Sequence, residues 1–178
     1  MAILVCSLDR VPEAVARPGV KYAASLIRLP LVERNALERH FRPDQTHLML
    51  DIDDIWLPAQ GKIAPDQAII GRLIAFVREW PQDTDILFHC WYGVSRSTAA
   101  AIIAMHVALE WTPARIVQTM RAALPFAAPN PLMLGLADQL LGLPGQLGGI
   151  AAQCGTARDF QGGHLTRLSF EPRDRALP

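Results

Sequence analysis

The sequence predicts a single α/β domain in which a mostly parallel central sheet is flanked by helices. Short apolar runs at residues 2–6, 22–27, 47–50 and 86–88 are typical of buried parallel strands. Segments with helical spacing of apolar residues, or with helix start signals, alternate with these runs, and such alternation places helices against a parallel sheet. A chain of 178 residues, of which 51% are hydrophobic, is long and apolar enough to fill one core.

The helices are predicted from periodicity and from capping residues. A short helix or turn lies around residues 12–17, and a short helix covers residues 35–41. Residues 66–80 form a longer helix that ends before a proline, and the Ala-rich residues 97–109 form a buried one. Two N-cap and proline pairs start the later helices: Thr112-Pro113, for a helix to about residue 124, and Asn130-Pro131, for a helix that ends at Gly142.

The run Phe-His-Cys-Trp-Tyr-Gly-Val-Ser-Arg-Ser-Thr at residues 88–98 places Cys90 and Arg96 six positions apart, between a strand and a helix. Unpaired N–H groups and the helix dipole attract anions to such a loop. Gly93 takes the positive φ that a tight curl requires, and Arg96 offers a planar pair of donors to two phosphate oxygens. The same field favours a thiolate at Cys90, to which Ser97 can donate a hydrogen bond. The motif therefore predicts a nucleophilic sulfur inside an anion pocket.

Three carboxylates follow the apolar run at residues 47–50: Asp51, Asp53 and Asp54. The carboxyl ends of parallel strands meet at one edge of a sheet, so these side chains are expected near Cys90. A phosphate ester's leaving oxygen departs more easily when an acid protonates it. The sequence thus predicts an acid in this cluster, although Asp51 is close enough to the strand to belong to its end.

At these residues the chain resembles the cysteine-dependent protein tyrosine phosphatase superfamily, whose pattern is His-Cys, five residues, Arg, then Ser or Thr. Every defining position is filled at residues 89–97. The resemblance is strong over residues 48–109 and extends over 2–142. The Trp after the Cys, the Asp-Ile before the motif and the Pro-Asn-Pro after it make the chain similar to a group of small bacterial phosphatases. Rhodanese-like sulfurtransferases also carry a loop cysteine, but their spacing to the arginine is usually one residue shorter.

The resemblance implies phosphomonoester hydrolysis through a phosphocysteine, with no cofactor and no metal. Cys90 would attack phosphorus, Arg96 and the loop amides would hold the oxygens, and Ser97 would support the departing thiolate. The pattern of the dual-specificity type puts Asp54 at the acid position, 36 residues before Cys90, with Asp53 as the alternative. The predicted phosphate-binding loop consists of Trp91, Tyr92, Gly93, Val94, Ser95 and Arg96.

Two further residues are predicted to support this site. His89 lies at the strand end beneath the loop, where an imidazole can orient the backbone or the thiolate without exchanging protons with substrate. Asn130 either positions the hydrolytic water or, more simply, caps the helix that follows it.

The variable loop positions indicate the substrate class. Trp91, Tyr92, Val94 and Ser95 are not cationic, whereas related lipid and inositol phosphate phosphatases often place Lys or Arg there. A flat monophosphorylated group is favoured, with protein phosphotyrosine first and phosphoserine or phosphothreonine if the pocket is shallow. The alternatives are an inositol phosphate or other small-molecule phosphatase, and a phosphoprotein-binding module without catalysis.

The resemblance assigns residues 1–142 to a phosphatase-like catalytic domain and residues 143–178 to a C-terminal extension of the same domain. This extension is Gly-rich and partly irregular, with a short helix at residues 151–153 and an edge strand at 165–170.

Composition excludes several other function classes. Seventeen basic and seventeen acidic residues leave no formal net charge, which gives no indication of a nucleic acid or an anionic membrane as partner. The apolar start is short and lacks a basic region, and no stretch is long enough to cross a bilayer. We therefore expect a cytoplasmic protein, and the sequence carries no signal for its oligomeric state.

The cysteines and histidines show no metal-binding pattern. Three cysteines without framework spacing are typical of a reducing compartment. Cys6 is expected to be a buried inert thiol, with a reversible disulfide to Cys90 as the alternative, and Cys154 receives no role. His40, His47 and His164 share no metal-ligand spacing with the cysteines.

Overall fold

A computed structural model describes residues 1–154, 160 and 162–171. Its central sheet has five strands in the order β3-β2-β4-β1-β5. The strands are β1 (Ala2–Ser7), β2 (Val20–Leu26), β3 (Thr46–Leu50), β4 (Asp85–Cys90) and β5 (Leu165–Ser169). The first four are parallel to their neighbours, and β5 pairs antiparallel with β1. The predicted α/β class is confirmed.

Helices cover both faces of the sheet. They are α1 (Val11–Val15, preceded by a 3₁₀ turn at Leu8–Arg10), α2 (Leu31–Glu38), α3 (Gln67–Glu79), α4 (Arg96–Val107), α5 (Pro113–Ala123), α6 (Pro131–Leu141) and α7 (Gln146–Cys154). In the larger core cluster, the five helices α3, α4, α5, α6 and α7 pack on one face of the sheet. In the smaller cluster, α1 and α2 pack on the other face.

Helix α4 is the central element of the larger layer. Its residues 96–105 are all buried, and it contacts β4, β1, α3 and α6. Small side chains make this close packing possible, since five of the nine residues before Met105 in this helix are alanine or serine. The helix therefore holds its N-terminus rigidly at the carboxyl end of β4.

The capping residues act as the sequence indicates. The side chain of Thr112 accepts a hydrogen bond from the Arg115 amide, and that of Asn130 accepts one from the Met133 amide at 3.1 Å. Gly142 ends α6 in the left-handed region, with φ of 66°.

The predicted helix at residues 35–41 is displaced, because α2 begins at Leu31 and ends at Glu38. Leu31 and Val32 are exposed, and Leu37 is the one buried residue of this helix. The apolar residues of its first turn therefore do not continue the buried face that helical periodicity detects.

The C-terminal extension adds structure to the same sheet. Helix α7 is longer than the predicted segment, because the Asp138 carboxylate accepts hydrogen bonds from the Leu147 and Gly148 amides in its first turn, each at 2.9 Å. Strand β5 forms the edge beside β1. Among the residues that the structure describes, no helix is long and apolar enough to cross a membrane.

Candidate active site

Cys90 is the last residue of β4, and α4 begins six residues later at Arg96. The loop between them turns at Gly93, whose φ is 75°. A Cβ atom at this position would clash with the His164 ring and with the backbone of Cys6 and Ser7. Glycine is therefore required here both by the backbone conformation and by the close approach of β1.

The Cys90 sulfur lies at the N-terminus of α4. It is 1% exposed, and its Sγ is 3.3 Å from the Ser97 hydroxyl oxygen. Among the described residues, no acceptor takes a hydrogen bond from the amide N–H groups of residues 91–96. The loop after the sulfur thus carries hydrogen-bond donors that no described residue satisfies, as an anion-binding loop requires.

Arg96 brings a buried positive charge to this loop. The residue is 3% exposed, and its Nη1 donates to the carbonyl oxygen of Ile52 at 2.8 Å. Its buried Nε has no hydrogen-bond partner among the described residues, and the carboxylate of Asp54 is 3.9 Å away. Burying an incompletely paired guanidinium is costly, and an oxyanion that bound here would offset that cost.

Asp54 is held in place at the loop. Its Oδ1 accepts hydrogen bonds from the Ser95 hydroxyl at 2.7 Å and from the Asn130 side-chain amide at 3.0 Å. Asn130 therefore links two tasks, since its oxygen caps α6 while its nitrogen binds Asp54 and the carbonyl of Ile55 at 3.4 Å. The capping interpretation of Asn130 is correct, and its contact with a predicted acid was missed.

The neighbouring carboxylates have different partners. Asp53 accepts a hydrogen bond from the Ile63 amide at 2.8 Å and pairs with Arg28 and Lys62. The pKa of Asp53 is lowered: burial would raise it, and the hydrogen bonds and the two cations outweigh that effect. Asp51 pairs with Arg34. Of the three predicted acids, the structure brings Asp54 to the cysteine loop.

His89 is fully buried beside Cys90 and belongs to a chain of polar groups across the sheet. Its Nε2 lies 2.5 Å from the Ser25 hydroxyl oxygen, which in turn lies 2.7 Å from Nε2 of His47. Burial lowers the pKa of His89 to about 3 and that of His47 to about 4. Both rings are therefore neutral at neutral pH. The supporting role of His89 stays a prediction, and its contact with Ser25 was not predicted.

A cavity of about 300 Å³ opens above Cys90. It is lined by Asp54, Trp56, Cys90, Tyr92, Val94, Ser95, Ala128 and Phe160. Tyr92 is 67% exposed and Trp56 is 61% exposed, so both rings are accessible at its rim. No Lys or Arg lines the cavity among the residues that the structure describes.

Two C-terminal residues reach this site and were missed from the sequence. The Phe160 ring lies 6.0 Å from the Tyr92 ring and 5.5 Å from the Phe126 ring, measured between centroids. The His164 ring packs edge-on against Phe126 at 4.6 Å and hydrogen-bonds the Gly93 carbonyl. Their signal in the sequence is weak, since they are isolated aromatic residues in a Gly-rich segment distant from the motif.

Strand register separates Cys6 from Cys90. Cys6 lies opposite His89, whereas Cys90 lies opposite Ser7. Side chains alternate between the two faces of a strand, so the two thiols are directed to different faces. Burial, reinforced by the nearby Cys90, raises the pKa of Cys6. These observations favour the inert thiol over the disulfide. Among the described residues, no group of three or more His, Cys, Asp or Glu side chains is arranged to hold a metal ion.

Comparison with protein families and solved structures places this geometry in context. The model of a family named PTP-like phytase, described by the words "Inositol hexakisphosphate", matches residues 27–107, which is less than half of the chain. No curated protein matches the sequence.

Several solved structures share the fold at low sequence identity. Human DUSP28 is 19% identical, with 77% of this chain and 86% of that chain covered and a TM-score of 0.56. DUSP15 is 16% identical, with 85% and 89% covered and a TM-score of 0.57. PTPMT1 in complex with PI(5)P is 14% identical, with 85% and 93% covered and a TM-score of 0.55. These structures confirm the fold that the resemblance implies, and the family model matches the part of the chain that carries the cysteine motif.

Proposed function

We propose that this chain, whose fold is that of the cysteine-dependent protein tyrosine phosphatase superfamily, hydrolyses phosphate monoesters through a phosphocysteine at Cys90. One observation carries the proposal. The buried Nε of Arg96 has no hydrogen-bond partner among the described residues, and the carboxylate of Asp54, 3.9 Å away, lines the same cavity as Cys90. A phosphoryl group would satisfy the arginine and the loop amides together.

In the first step, the Cys90 thiolate attacks phosphorus in line with the ester oxygen. The sulfur–phosphorus bond forms as the phosphorus–oxygen bond breaks. Arg96 and the loop amides hold the three equatorial oxygens, whose charge they stabilise in the transition state. Asp54 gives its proton to the leaving oxygen. Because Oδ1 already accepts two hydrogen bonds, Oδ2 is the oxygen that carries this proton.

In the second step, water attacks the phosphocysteine. Asp54, now a carboxylate, takes a proton from the water as the new phosphorus–oxygen bond forms. The sulfur–phosphorus bond breaks, inorganic phosphate is released, and the Ser97 hydroxyl stabilises the departing thiolate by its hydrogen bond to Sγ. Asn130 acts as a positioning residue, because it orients the Asp54 carboxylate in both steps.

The lining of the cavity supports an aromatic monoester as the preferred substrate. The accessible rings of Tyr92 and Trp56, together with Phe160, offer apolar surface on which a phenyl ring packs. The volume lies at the lower end of ligand sites, which suits one ring and one phosphate. Protein phosphotyrosine is the first choice, and phosphoserine and phosphothreonine bind with less apolar contact.

An inositol phosphate is the second candidate substrate. The family whose model matches residues 27–107 is described by inositol hexakisphosphate, and the PTPMT1 structure contains PI(5)P. Several phosphates require several cations, however, and the nearby Arg28 and Lys62 are paired with Asp53. A preference above about a hundredfold for a polyphosphorylated inositol over a phosphotyrosine peptide would replace the first choice by the second.

The C-terminal extension is part of the proposed catalytic unit. Residues 1–142 carry the nucleophile, the arginine and the acid, while the extension supplies Phe160 to the cavity and β5 to the sheet. This contact supports treating residues 1–142 and 143–178 as one domain with one site.

Hydrolysis of para-nitrophenyl phosphate tests the proposal. The wild type should be active in EDTA and a reducing agent. Cys90→Ser should abolish turnover, and Arg96→Lys should lower both kcat and the apparent affinity, because a point charge replaces the bidentate grip. Cys6→Ser is the matched control and should stay active. Full activity of Cys90→Ser would contradict the proposal, and oxyanion binding without turnover would favour a phosphoprotein-binding module.

A further inference from the structure

The C-terminal segment contacts the cysteine loop through His164. Its backbone is fixed to the end of β1, because its amide donates to the Ser7 hydroxyl and its carbonyl accepts from the Ser7 amide, each at 3.2 Å. Its ring Nε2 lies 3.1 Å from the carbonyl oxygen of Gly93. Strand β5 begins at the next residue, so the sheet itself sets the position of the imidazole.

The hydrogen bonds of the ring define its tautomer. The Gly93 carbonyl can only accept, so Nε2 carries the proton and donates. Nδ1 lies 3.2 Å from the Thr166 hydroxyl and accepts from it. Burial lowers the pKa of His164, against the opposing effects of its interactions with the Gly93 and Tyr92 backbone. The ring is therefore a neutral donor directed at the loop backbone, with the Gly93 carbonyl as its acceptor at 3.1 Å.

The hydrogen bond from His164 to the Gly93 carbonyl also orients the amide N–H of the next residue, Val94. The peptide bond is planar and trans, so its C=O and N–H point in opposite directions. Holding the Gly93 oxygen toward His164 turns the Val94 N–H away from His164. Val94 lines the cavity above Cys90, and its N–H has no acceptor among the described residues.

Two other loop carbonyls are held in the same way. The Leu8 amide donates to Trp91 O at 3.1 Å, and the Ala128 amide donates to Val94 O at 3.0 Å. The Thr98 hydroxyl also donates to Val94 O, at 2.6 Å, so this carbonyl is held by α4 as well. The donor to the Gly93 carbonyl is the His164 side chain, which comes from the C-terminal extension.

We propose that His164 is a positioning residue that fixes the Gly93–Val94 peptide so that the Val94 N–H faces the bound oxyanion. The inference rests on the proposed function, since it assigns the origin of one donor in that same site. The loop's geometry then depends on the C-terminal segment as well as on β4 and α4.

Tungstate affinity and kinetics of His164 variants test this inference. His164→Ala should weaken tungstate binding, measured by calorimetry, about tenfold and lower kcat for para-nitrophenyl phosphate by a similar factor, because one amide loses its fixed orientation. His164→Gln should recover most of both quantities, since its side-chain amide can donate to the same carbonyl. Leu168→Ala is the matched control, a buried β5 residue without loop contacts, and should lower the melting temperature while tungstate affinity stays unchanged.

The outcomes separate the inference from the proposed function. Unchanged tungstate affinity and kcat in His164→Ala would overturn the inference alone. Equal losses in His164→Ala and His164→Gln would also overturn it, because ring packing against Phe126 and not the hydrogen bond would then be responsible. A folded wild type that neither binds tungstate nor hydrolyses the ester would overturn the proposed function.

Discussion

Adjacent residues Asp53 and Asp54 have opposite surroundings at the edge of the site. The Asp53 carboxylate accepts a hydrogen bond from a backbone amide and pairs with two cations, Arg28 and Lys62. These contacts lower its pKa and so keep it ionised. Asp54 accepts from Ser95 and Asn130 on one oxygen and leaves the other directed toward Arg96. Asp54 therefore keeps one oxygen without a hydrogen-bond donor next to the cysteine loop, which is the position that the proposed acid requires.

Asp54→Asn should show a dependence on the leaving group. The rate for phenyl phosphate should fall by about a hundredfold, because its leaving oxygen needs a proton. The rate for para-nitrophenyl phosphate should fall by less than about tenfold, since its leaving group departs as an anion. The measurement is kcat of the wild type and of Asp54→Asn for each of the two esters.

Asp53→Asn is the matched control for this prediction. It removes the neighbouring carboxylate and should change neither rate selectively. Equal losses for both esters in Asp54→Asn, or a larger selective loss in Asp53→Asn, would move the acid away from Asp54.

Strands β2, β3 and β4 are linked by one buried hydroxyl. Ser25 on β2 lies between His47 on β3 and His89 on β4, so its hydroxyl donates to one neutral ring and accepts from the other. The sheet thus holds His89, the residue before Cys90, through hydrogen bonds that require uncharged histidines.

This arrangement predicts that stability decreases in acid. The pKa values of His89 and His47 are lowered to about 3 and about 4, whereas an unfolded histidine titrates near 6.5. The unfolded chain binds more protons below pH 6.5, so the stabilisation is complete above that pH and decreases as pH falls toward 4 and 3. By about pH 5 the loss is on the order of 2 kcal/mol for each histidine.

Urea unfolding of wild type and His47→Gln at pH 7.5 and pH 5 measures this effect. The variant should lose less unfolding free energy between the two pH values, because one of the two buried groups is gone. His40→Gln, a change at an exposed histidine, is the matched control and should follow the wild type. The same loss in all three proteins would contradict the account.

At the scale of the whole molecule, local signals in the sequence predicted the fold and the closeness of the cysteine loop to a carboxylate. The strand, glycine, arginine and helix around Cys90 are contiguous, so one motif specifies their geometry. The caps at Thr112 and Asn130 are likewise local signals. The choice between Asp53 and Asp54 was left open, because adjacent residues differ in partners that only the folded chain brings together.

The missed contacts join residues that are distant in the chain. His164 meets Ser7 across a separation of 157 residues, and Ser25 meets His89 across 64. Neither contact has a periodic or capping signal, because a single polar side chain becomes informative only when strand order is known. The displaced start of α2 has a different cause. Leu31 and Val32 are apolar but exposed, so the spacing of apolar residues does not indicate where this helix begins.

The most direct test of the central claim is identification of the covalent intermediate. Wild type and Asp54→Asn are mixed with para-nitrophenyl phosphate, quenched with denaturant, and digested with trypsin, and the peptide that spans residues 79–96 is sequenced by mass spectrometry. The account predicts phosphate on the Cys90 sulfur and on no other residue of that peptide. An active enzyme with phosphate on Tyr92 or Ser95, or one whose Cys90→Ser variant still turns over, would contradict a phosphocysteine mechanism.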